Sequence, residues 1–382
     1  MQLNKYFFAL IVSFCLGGCI ENYNPKDIVD YPNNYVVYGR VTDDSDYHLI
    51  QVSQTSSLND PQLHPVLSCE VIIVDSNNNI FTTDSTTRSG EYYVKINRSL
   101  ISPGNAYKVE VHTPSGVIIE SAFDTLRPCP DIQDINYKRV DKPTHNPDSP
   151  ERGVQFTIDV IANNSYGRFY RWELEETFEY TADYPITFYY NGTVNTVLPE
   201  DFSLYYCWQT KPISDFFQLS TKHLANNTYH DFDLHFVNNR SQRLLHLYSI
   251  LIYQSSIGED QFNFLEQIRL NSQNQEGLFS TQPTGVVGNL TSPSHPDFIV
   301  HGFFSAEGRK SRRFFFKNTM DVPFQVYSNC NLMDLENGYN AFKPRDYPVY
   351  LVNDEGVMKW VYDFCVDCRE LGGTTEAPDY WP

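Results

Sequence analysis

The sequence lacks an apolar run long enough to cross a bilayer as a helix. The uncharged run from Tyr6 to Leu16 has about eleven residues, whereas a membrane-spanning helix needs about 20. A second run, Leu244 to Tyr253, is interrupted by His246 and has a strand's length. We therefore predict a buried strand for the second run and no transmembrane helix in the chain.

Basic residues are also scarce. The chain has 28 Lys and Arg against 47 Asp and Glu, which gives a formal net charge of −19 at pH 7. So acidic a protein is repelled by nucleic-acid phosphates and by anionic lipid headgroups. The composition argues against a nucleic-acid partner, and attachment to a membrane would have to come from covalent lipid.

The short motifs that carry catalytic chemistry are missing. The sequence contains no Gly-x-Ser-x-Gly elbow, His-Glu-x-x-His helix, phosphate loop or dinucleotide-binding glycine pattern. Neither a pair of catalytic carboxylates nor a nucleophile can be assigned. We therefore predict no enzymatic activity and no cofactor, and we keep a surface hydrolase of glycans or peptides as an alternative.

The first residues have the features of an export signal. Lys5 precedes the apolar run, and Leu16-Gly17-Gly18-Cys19 follows it. Small residues before a cysteine resemble a bacterial lipobox, in which the thiol is diacylated and the preceding peptide is removed. This pattern predicts a signal peptide at 1–18, lipidation of Cys19 and a tether at 19–30. The alternative is an ordinary signal peptide with a chance cysteine.

The remainder of the chain has the composition of a β protein. Aromatic residues make up 15% of it, and few windows show apolar residues at helical spacing. At 382 residues the chain exceeds the usual size of one core, so two domains are expected. Residues 31–128 contain seven short strands at roughly ten-residue spacing, which predicts an immunoglobulin- or transthyretin-like β-sandwich.

Residues 129–382 predict a larger, β-rich second domain with a cysteine-containing tail. One short helix is expected there, beginning near Gly258-Glu259-Asp260, because apolar residues recur at helical spacing after these acids. Phe298–Phe304 and Arg313–Phe316 predict a hairpin that turns at Glu307-Gly308-Arg309.

Six cysteines remain after Cys15 in the signal and Cys19. An even number in an exported chain predicts disulfides, although six cysteines allow 15 pairings. We expect Cys365 and Cys368 to bond to Cys207 and Cys330, and Cys69 to pair with Cys129. A small Cys365–Cys368 ring, a zinc half-site and a redox pair are the alternatives.

Two groups of polar residues are weak metal candidates. Strict alternation on a strand would place Asp231, Asp233 and His235 on one face. The turn Asp43-Asp44-Ser45-Asp46 has carboxylates for calcium but lacks the glycine and the final glutamate of an EF-hand loop. In both cases a solvated polar surface is the simpler interpretation, so we predict no metal site.

Several segments carry a resemblance to a known family: the lipobox, Tyr35–Gly39, Glu259 with Phe264-Leu265, Gln282–Thr284, Val286–Asn289, Val300–Phe304, Cys365–Arg369, Gly372–Thr374, Pro378 and Trp381. Together they resemble a domain-of-unknown-function family of Bacteroidota outer-membrane lipoproteins. Genes of that family commonly lie beside those of TonB-dependent outer-membrane receptors. The resemblance implies an outer-membrane location, on either face, and a receptor partner. It implies no catalytic residues.

These features predict a lipid-anchored accessory or ligand-binding protein that works with a TonB-dependent receptor in nutrient uptake. The ligand is not identified by the sequence. Besides the hydrolase, a structural or adhesive surface lipoprotein remains an alternative.

Overall fold

The computed structural model describes residues 34–56, 62–146, 149–273, 285–317, 326, 328–336 and 338–382. The predicted signal peptide, Cys19 and the tether lie outside the described residues, as does Gln282-Pro283-Thr284. In the part of the chain that is described, no helix has the length and apolarity needed to span a membrane.

The protein is mainly β with a short helix, as predicted. The first sandwich is built around alternating strands: in Ala106–His112, for example, Tyr107, Val109 and Val111 are fully buried and their neighbours are not. Its strands are β1 Tyr35–Thr42, β2 Tyr47–Gln54, β3 His64–Pro65, β4 Glu70–Asp75, β5 Ile80–Thr86, β6 Glu91–Lys95, β7 Ala106–His112, β8 Ile118–Ser121 and β9 Asp124–Thr125.

A second sandwich follows, in which two sheets enclose a separate aromatic-rich core. Its main strands are β10 Ile135–Lys142, β11 Glu151–Ile161, β12 Phe169–Thr181, β15 Tyr206–Ser220, β16 Thr228–Asn238, β17 Leu247–Ser256 and β19 Val300–Lys317. The helix α1 Glu259–Gln273 begins at the acidic residues that the sequence analysis took as its start, and it packs against β12 and β19.

A small third sheet carries the C-terminal part of the chain. It consists of β13 Ile186–Tyr190, β14 Val194–Asp201, β20 Val349–Asp354 and β21 Val357–Val361, while β18 Leu290–Thr291 pairs with β8 of the first sandwich. Short 3₁₀ helices occur at Arg98–Leu100, Gln242–Leu244, Gly338–Ala341, Pro344–Asp346, Asp363–Cys365 and Cys368–Leu371.

One strand belongs to both sandwiches. The first half of β19, from Val300 to Glu307, pairs in parallel with β1. Its second half, from Gly308 to Lys317, pairs antiparallel with β17. At about 3.3 Å per residue, the eighteen residues of β19 extend over roughly 60 Å. The hydrogen-bonded order is β15-β12-β17-β19-β1-β2-β6-β5-β4-β7-β8-β18, with β3 on β2 and β9 on β7.

The hairpin predicted at Glu307-Gly308-Arg309 is therefore wrong, because β19 runs through these residues without a turn. Gly308 instead allows the backbone of Arg127 to pass close to β19. A Cβ atom on Gly308 would lie 2.0 Å from the carbonyl oxygen of Arg127, in the segment that leaves the first sandwich. We call the place where β19 passes from one sheet to the other, at Glu307 and Gly308, the joint.

Two disulfides hold the C-terminal tail. Cys207 is bonded to Cys368, and Cys330 to Cys365. The sequence predicted that Cys365 and Cys368 bond to Cys207 and Cys330, but it did not assign the partners. The expected pair of Cys69 and Cys129 does not form: both are free, buried thiols. Cys69 packs in the core of the first sandwich, whereas Cys129 lies against Gln254 of the second, so different cores separate them.

We predict that the Cys207–Cys368 bond stabilises the protein more than the Cys330–Cys365 bond. The bonds close loops with sequence separations of 161 and 35 residues, which correspond to about 5 and about 4 kcal/mol in the chain-entropy model. Urea denaturation of the paired alanine variants should reproduce this order. A reductant should lower the unfolding free energy of the wild type, and the control variant Cys69→Ala/Cys129→Ala should show the same loss. The absence of this loss in the control would contradict the pairing.

Candidate functional site

A fully buried carboxylate lies at the joint. Glu307 has no exposed surface. Its Oε1 accepts hydrogen bonds from Gln261 Nε2 at 2.6 Å and Ser305 Oγ at 3.0 Å, and Arg171 Nη1 lies at 3.5 Å. These partners come from α1, β19 and β12, so the side chain of Glu307 connects the helix to two strands of the large sheet.

The surroundings of Glu307 keep it ionised. Burial alone would raise the pKa of the carboxyl, but the positive charges of Arg171 and Arg40 and the hydrogen bond from Gln261 outweigh it and lower the pKa to about 2. A buried carboxylate with this environment carries its charge throughout the neutral range.

A second carboxylate, Glu173 of β12, collects three guanidinium groups. Its oxygens lie 2.7 Å from Arg40 Nη1, 2.7 Å from Arg171 Nη2 and 3.0 Å from Arg309 Nη2. Although burial opposes it, Arg171 and Arg40 lower the pKa of Glu173. The cluster therefore connects β1, β12 and β19 by charge.

The charges of the cluster balance. Arg309 Nη1 also lies 3.7 Å from Asp44 Oδ2, so three arginines face three carboxylates, and every arginine has at least one acidic partner. Burial of ions is expensive unless they are paired. The cluster meets this requirement because its arginines and carboxylates pair with one another.

A cavity of about 570 Å³ opens above the cluster, between the first sandwich, α1 and β12. We call it the joint cavity. Its polar floor is the Arg40–Glu173 pair with the buried groups beneath it, and its apolar wall contains Tyr38, Tyr47, Leu49, Phe264, Leu265, Ile268 and Phe303. The ring centres of Tyr38 and Phe264 are 6.3 Å apart, and those of Phe264 and Phe303 5.0 Å.

Several buried polar atoms at this cavity have no hydrogen-bond partner within the protein. They are His48 Nε2, Gln261 Oε1, Glu307 Oε2 and Arg309 Nε. Burial lowers the pKa of His48 to about 4, so its ring is neutral at pH 7. The backbone N–H of Thr42 donates to its Nδ1 at 3.4 Å, which leaves the proton on Nε2. Donors and acceptors are thus both unused here.

Such atoms are uncommon in folded proteins. A buried polar group without a partner costs about 1–3 kcal/mol, and nearly all buried polar groups in native proteins are hydrogen-bonded. All four belong to side chains that border one cavity but are buried beneath its surface, so this polar floor is a candidate site where a shift of side chains would bring them into contact with water or a ligand.

The three metal candidates of the sequence analysis are not brought together. Asp233 lies 3.4 Å from Lys138 Nζ, Asp231 accepts a hydrogen bond from Thr157, and His235 is buried with Nε2 3.7 Å from Glu176. Two register shifts between β11 and β16 break the alternation that would have aligned them.

Among the described residues, the group with metal-ligand proximity is a different one: Asp183 with Cys330 and Cys365. These two cysteines are bonded to each other, so their sulfur atoms are not free thiolates. This group is part of the disulfide-linked tail and does not fit a metal site.

The acidic turn considered for calcium serves the joint instead. Asp43 Oδ1 accepts a hydrogen bond from the backbone N–H of Arg309 at 2.7 Å, and Asp46 Oδ1 accepts one from Arg98 at 2.8 Å. Together with the contact of Asp44, these bonds fix the turn against β19 and the loop before β7.

The sequence analysis missed the charged residues of the joint. Arg171 and Glu173, like Glu307 and Arg309, are opposite charges two residues apart, a spacing that puts both on one face of a strand. That signal was present in the sequence. Assigning Glu307 and Arg309 to a turn concealed it.

Fold and site together define the class of protein: two β-sandwiches that share one strand, with a cavity above a buried charge cluster at their joint. Residues 20–313 match the family model described as Domain of unknown function (DUF4249), and the chain belongs to this family. The matched range stops before the cysteine-containing tail. A search of curated proteins finds no match.

We predict that Glu307→Gln lowers the free energy of unfolding at pH 7 by about 3–5 kcal/mol, because it leaves buried guanidinium groups with less counter-charge. Urea denaturation should measure this loss. The exposed Glu70→Gln variant is the control, since the Glu70 side chain is 72% exposed.

The same variant tests the pH dependence. The pKa of Glu307 is lowered from 4.5 to about 2 in the folded protein. Its stabilisation is therefore complete above about pH 5 and is lost as the pH falls towards 2. The difference in unfolding free energy between wild type and Glu307→Gln should shrink over this interval. A difference that stays constant from pH 6 to pH 2.5 would contradict the assignment.

Proposed function

We propose that this protein is a lipid-anchored outer-membrane accessory protein that binds a small ligand for a TonB-dependent receptor. The joint cavity is the ligand site in this proposal. The observation that carries it is the coincidence, in one place, of a cavity of about 570 Å³ and four unpartnered buried polar atoms.

The size and composition of the cavity support binding. Small-molecule sites are concave, about 300–1,000 Å³ in volume, and combine apolar walls with a few placed polar groups. The joint cavity lies in this range and has an aromatic wall and a charged floor. It also lies between the first sandwich on one side and β12 with α1 on the other, and ligand sites are common where two such units meet.

The state of the carboxylates favours binding over hydrolysis. A general acid needs a carboxyl whose pKa is raised towards neutrality. At the joint the pKa values of Glu173 and Glu307 are both lowered and both groups are held by arginines. These are the properties of a fixed charge network, which positions a ligand without donating protons to it.

The anchoring and the partner are supported by the sequence and the family resemblance. Leu16-Gly17-Gly18-Cys19 resembles a lipobox, and an acidic chain without a basic patch needs covalent lipid to stay at a membrane. The two disulfides fit a protein that folds outside the cytosol. Association with TonB-dependent receptors is typical of the lipoproteins that this sequence resembles.

We predict that Cys19→Ala releases the protein into a soluble fraction or leaves it uncleaved in the inner membrane. Cys15→Ala, its matched control within the predicted signal, should leave the lipid anchor intact. Membrane fractionation and mass spectrometry of the mature N-terminus measure this. The control should carry acyl chains on Cys19. An unmodified N-terminus at another residue would contradict the lipid anchor.

The partner is tested by purifying the native protein from membranes in mild detergent. A large β-barrel protein should co-purify in stoichiometric amount, and the preparation should not turn over glycan or peptide substrates. Turnover would support the hydrolase alternative. Purification without a barrel and without turnover would favour a structural or adhesive lipoprotein.

A further inference from the structure

We infer that the ligand of the joint cavity is an uncharged, hydroxyl-rich molecule with one apolar face, as in a neutral mono- or oligosaccharide. This inference rests on the proposed role of the cavity as a ligand site, and it names the chemical class of the ligand. It follows from three properties of the cavity: its charge balance, its unused hydrogen-bonding atoms and its aromatic wall.

The charge balance disfavours a charged ligand. Arg40, Arg171 and Arg309 are all paired with Asp44, Glu173 or Glu307 at distances between 2.7 and 3.7 Å. An anion or cation entering the cavity would have to break one of these pairs or remain uncompensated beside it. Both are costly, and most so beside the buried part of the cluster.

The unused atoms are of both kinds. His48 Nε2–H and Arg309 Nε–H are donors, whereas Gln261 Oε1 and Glu307 Oε2 are acceptors. All four are buried beneath the cavity surface, so a ligand reaches them only if the floor side chains shift. A hydroxyl group both donates and accepts, so a polyol can then pair with either kind. The Arg40–Glu173 pair, whose side chains are 32% and 36% exposed, offers a donor and an acceptor side by side at the surface of the floor.

The wall supplies an apolar surface for a ring. Tyr38 and Tyr47 keep 44% and 47% of their surface exposed although they border the cavity. Phe264 contacts the ring of Tyr38, and Phe303 contacts the ring of Phe264, so the three rings form a continuous part of the wall. A sugar ring has C–H groups on one face and hydroxyls at its edge, and aromatic side chains bury such C–H faces favourably. The wall and the floor therefore match the two sides of one ring.

Matched sugars test the class directly. Isothermal titration of the native lipoprotein in detergent should use glucose, galactose, mannose, N-acetylglucosamine and their short oligomers. For the sugar that binds best, the analogues with a carboxylate or an amine on the same ring, such as glucuronate and glucosamine for glucose, should bind at least about tenfold more weakly. Leucine and the dipeptide Leu-Gly represent zwitterionic ligands of similar size.

Variants connect the binding to the cavity. Tyr38→Ala should weaken saccharide binding about tenfold, since a stacked ring contributes on the order of one power of ten in affinity. Tyr38→Phe, which keeps the ring, should retain most of it. Tyr229→Ala is the matched control, because Tyr229 is 39% exposed on β16 and does not line the cavity.

A change of charge should change the preference. Glu173→Gln removes the acidic partner shared by three arginines, and we expect it to weaken neutral-sugar binding and to strengthen binding of the carboxylate analogue. A purely structural role of Glu173 would weaken both equally. Unfolding midpoints of all variants should be measured to confirm that they are folded.

Each outcome decides between the proposals. No saccharide binding, or tighter binding of the charged sugars or of Leu-Gly, overturns this inference. If a β-barrel receptor nevertheless co-purifies, the proposed function stands and only the ligand class is wrong. If neither a receptor nor any ligand of the panel binds, both proposals fail.

Discussion

The two sandwiches depend on one strand and on the buried carboxylate at its midpoint. β19 gives its first half to the sheet of β1 and its second half to the sheet of β17, so it has no freedom to adjust one sandwich without the other. Glu307 lies where the partner strand changes. Its charge must be compensated inside the protein, and the arginines that compensate it come from β1 and β12. The position of one sandwich relative to the other is thereby specified.

A buried ion cluster of this kind is poor evidence for high stability. Desolvation of charges often cancels their attraction, and hydrophobic replacements can be as stable. What the cluster does provide is a specific arrangement of the strands, because removal of any one charge leaves the buried cluster with a net charge. The cavity above it lies between these charged side chains and the aromatic wall, and unpartnered donors and acceptors are buried beneath its floor.

The C-terminal part of the chain is held in a different way. Its own core is small, with Ile186, Val361, Cys365 and Val366 buried, and two disulfides link it to itself and to β15. The last aromatic residues dock on the second sandwich: Trp381 contacts Phe315, and Tyr380 lies under the guanidinium of Arg313. This short segment cannot bury enough apolar surface to form a large core of its own. Disulfide bonds and the packing of its last aromatic residues on the surface of the second sandwich hold it instead.

By itself the sequence determined what depends on local pattern: a mainly β chain, the strands of the first sandwich and the helix after Gly258. It indicated which cysteines hold the tail, but the tertiary structure decided how they pair. Alternation, turn residues and acids at a helix start act over a few residues. The aromatic side chains of the tail are costly to leave in water, so the tail must dock, and its cysteines were expected to hold it there. Tertiary structure decided the course of β19, the free thiols of Cys69 and Cys129, and the charge cluster. Glu307 is over a hundred residues from Arg40 and Arg171 in sequence. The pairing of β19 with β1 brings Arg40 to it, and the pairing of β19 with β17, and of β17 with β12, brings Arg171. No local signal encodes these contacts.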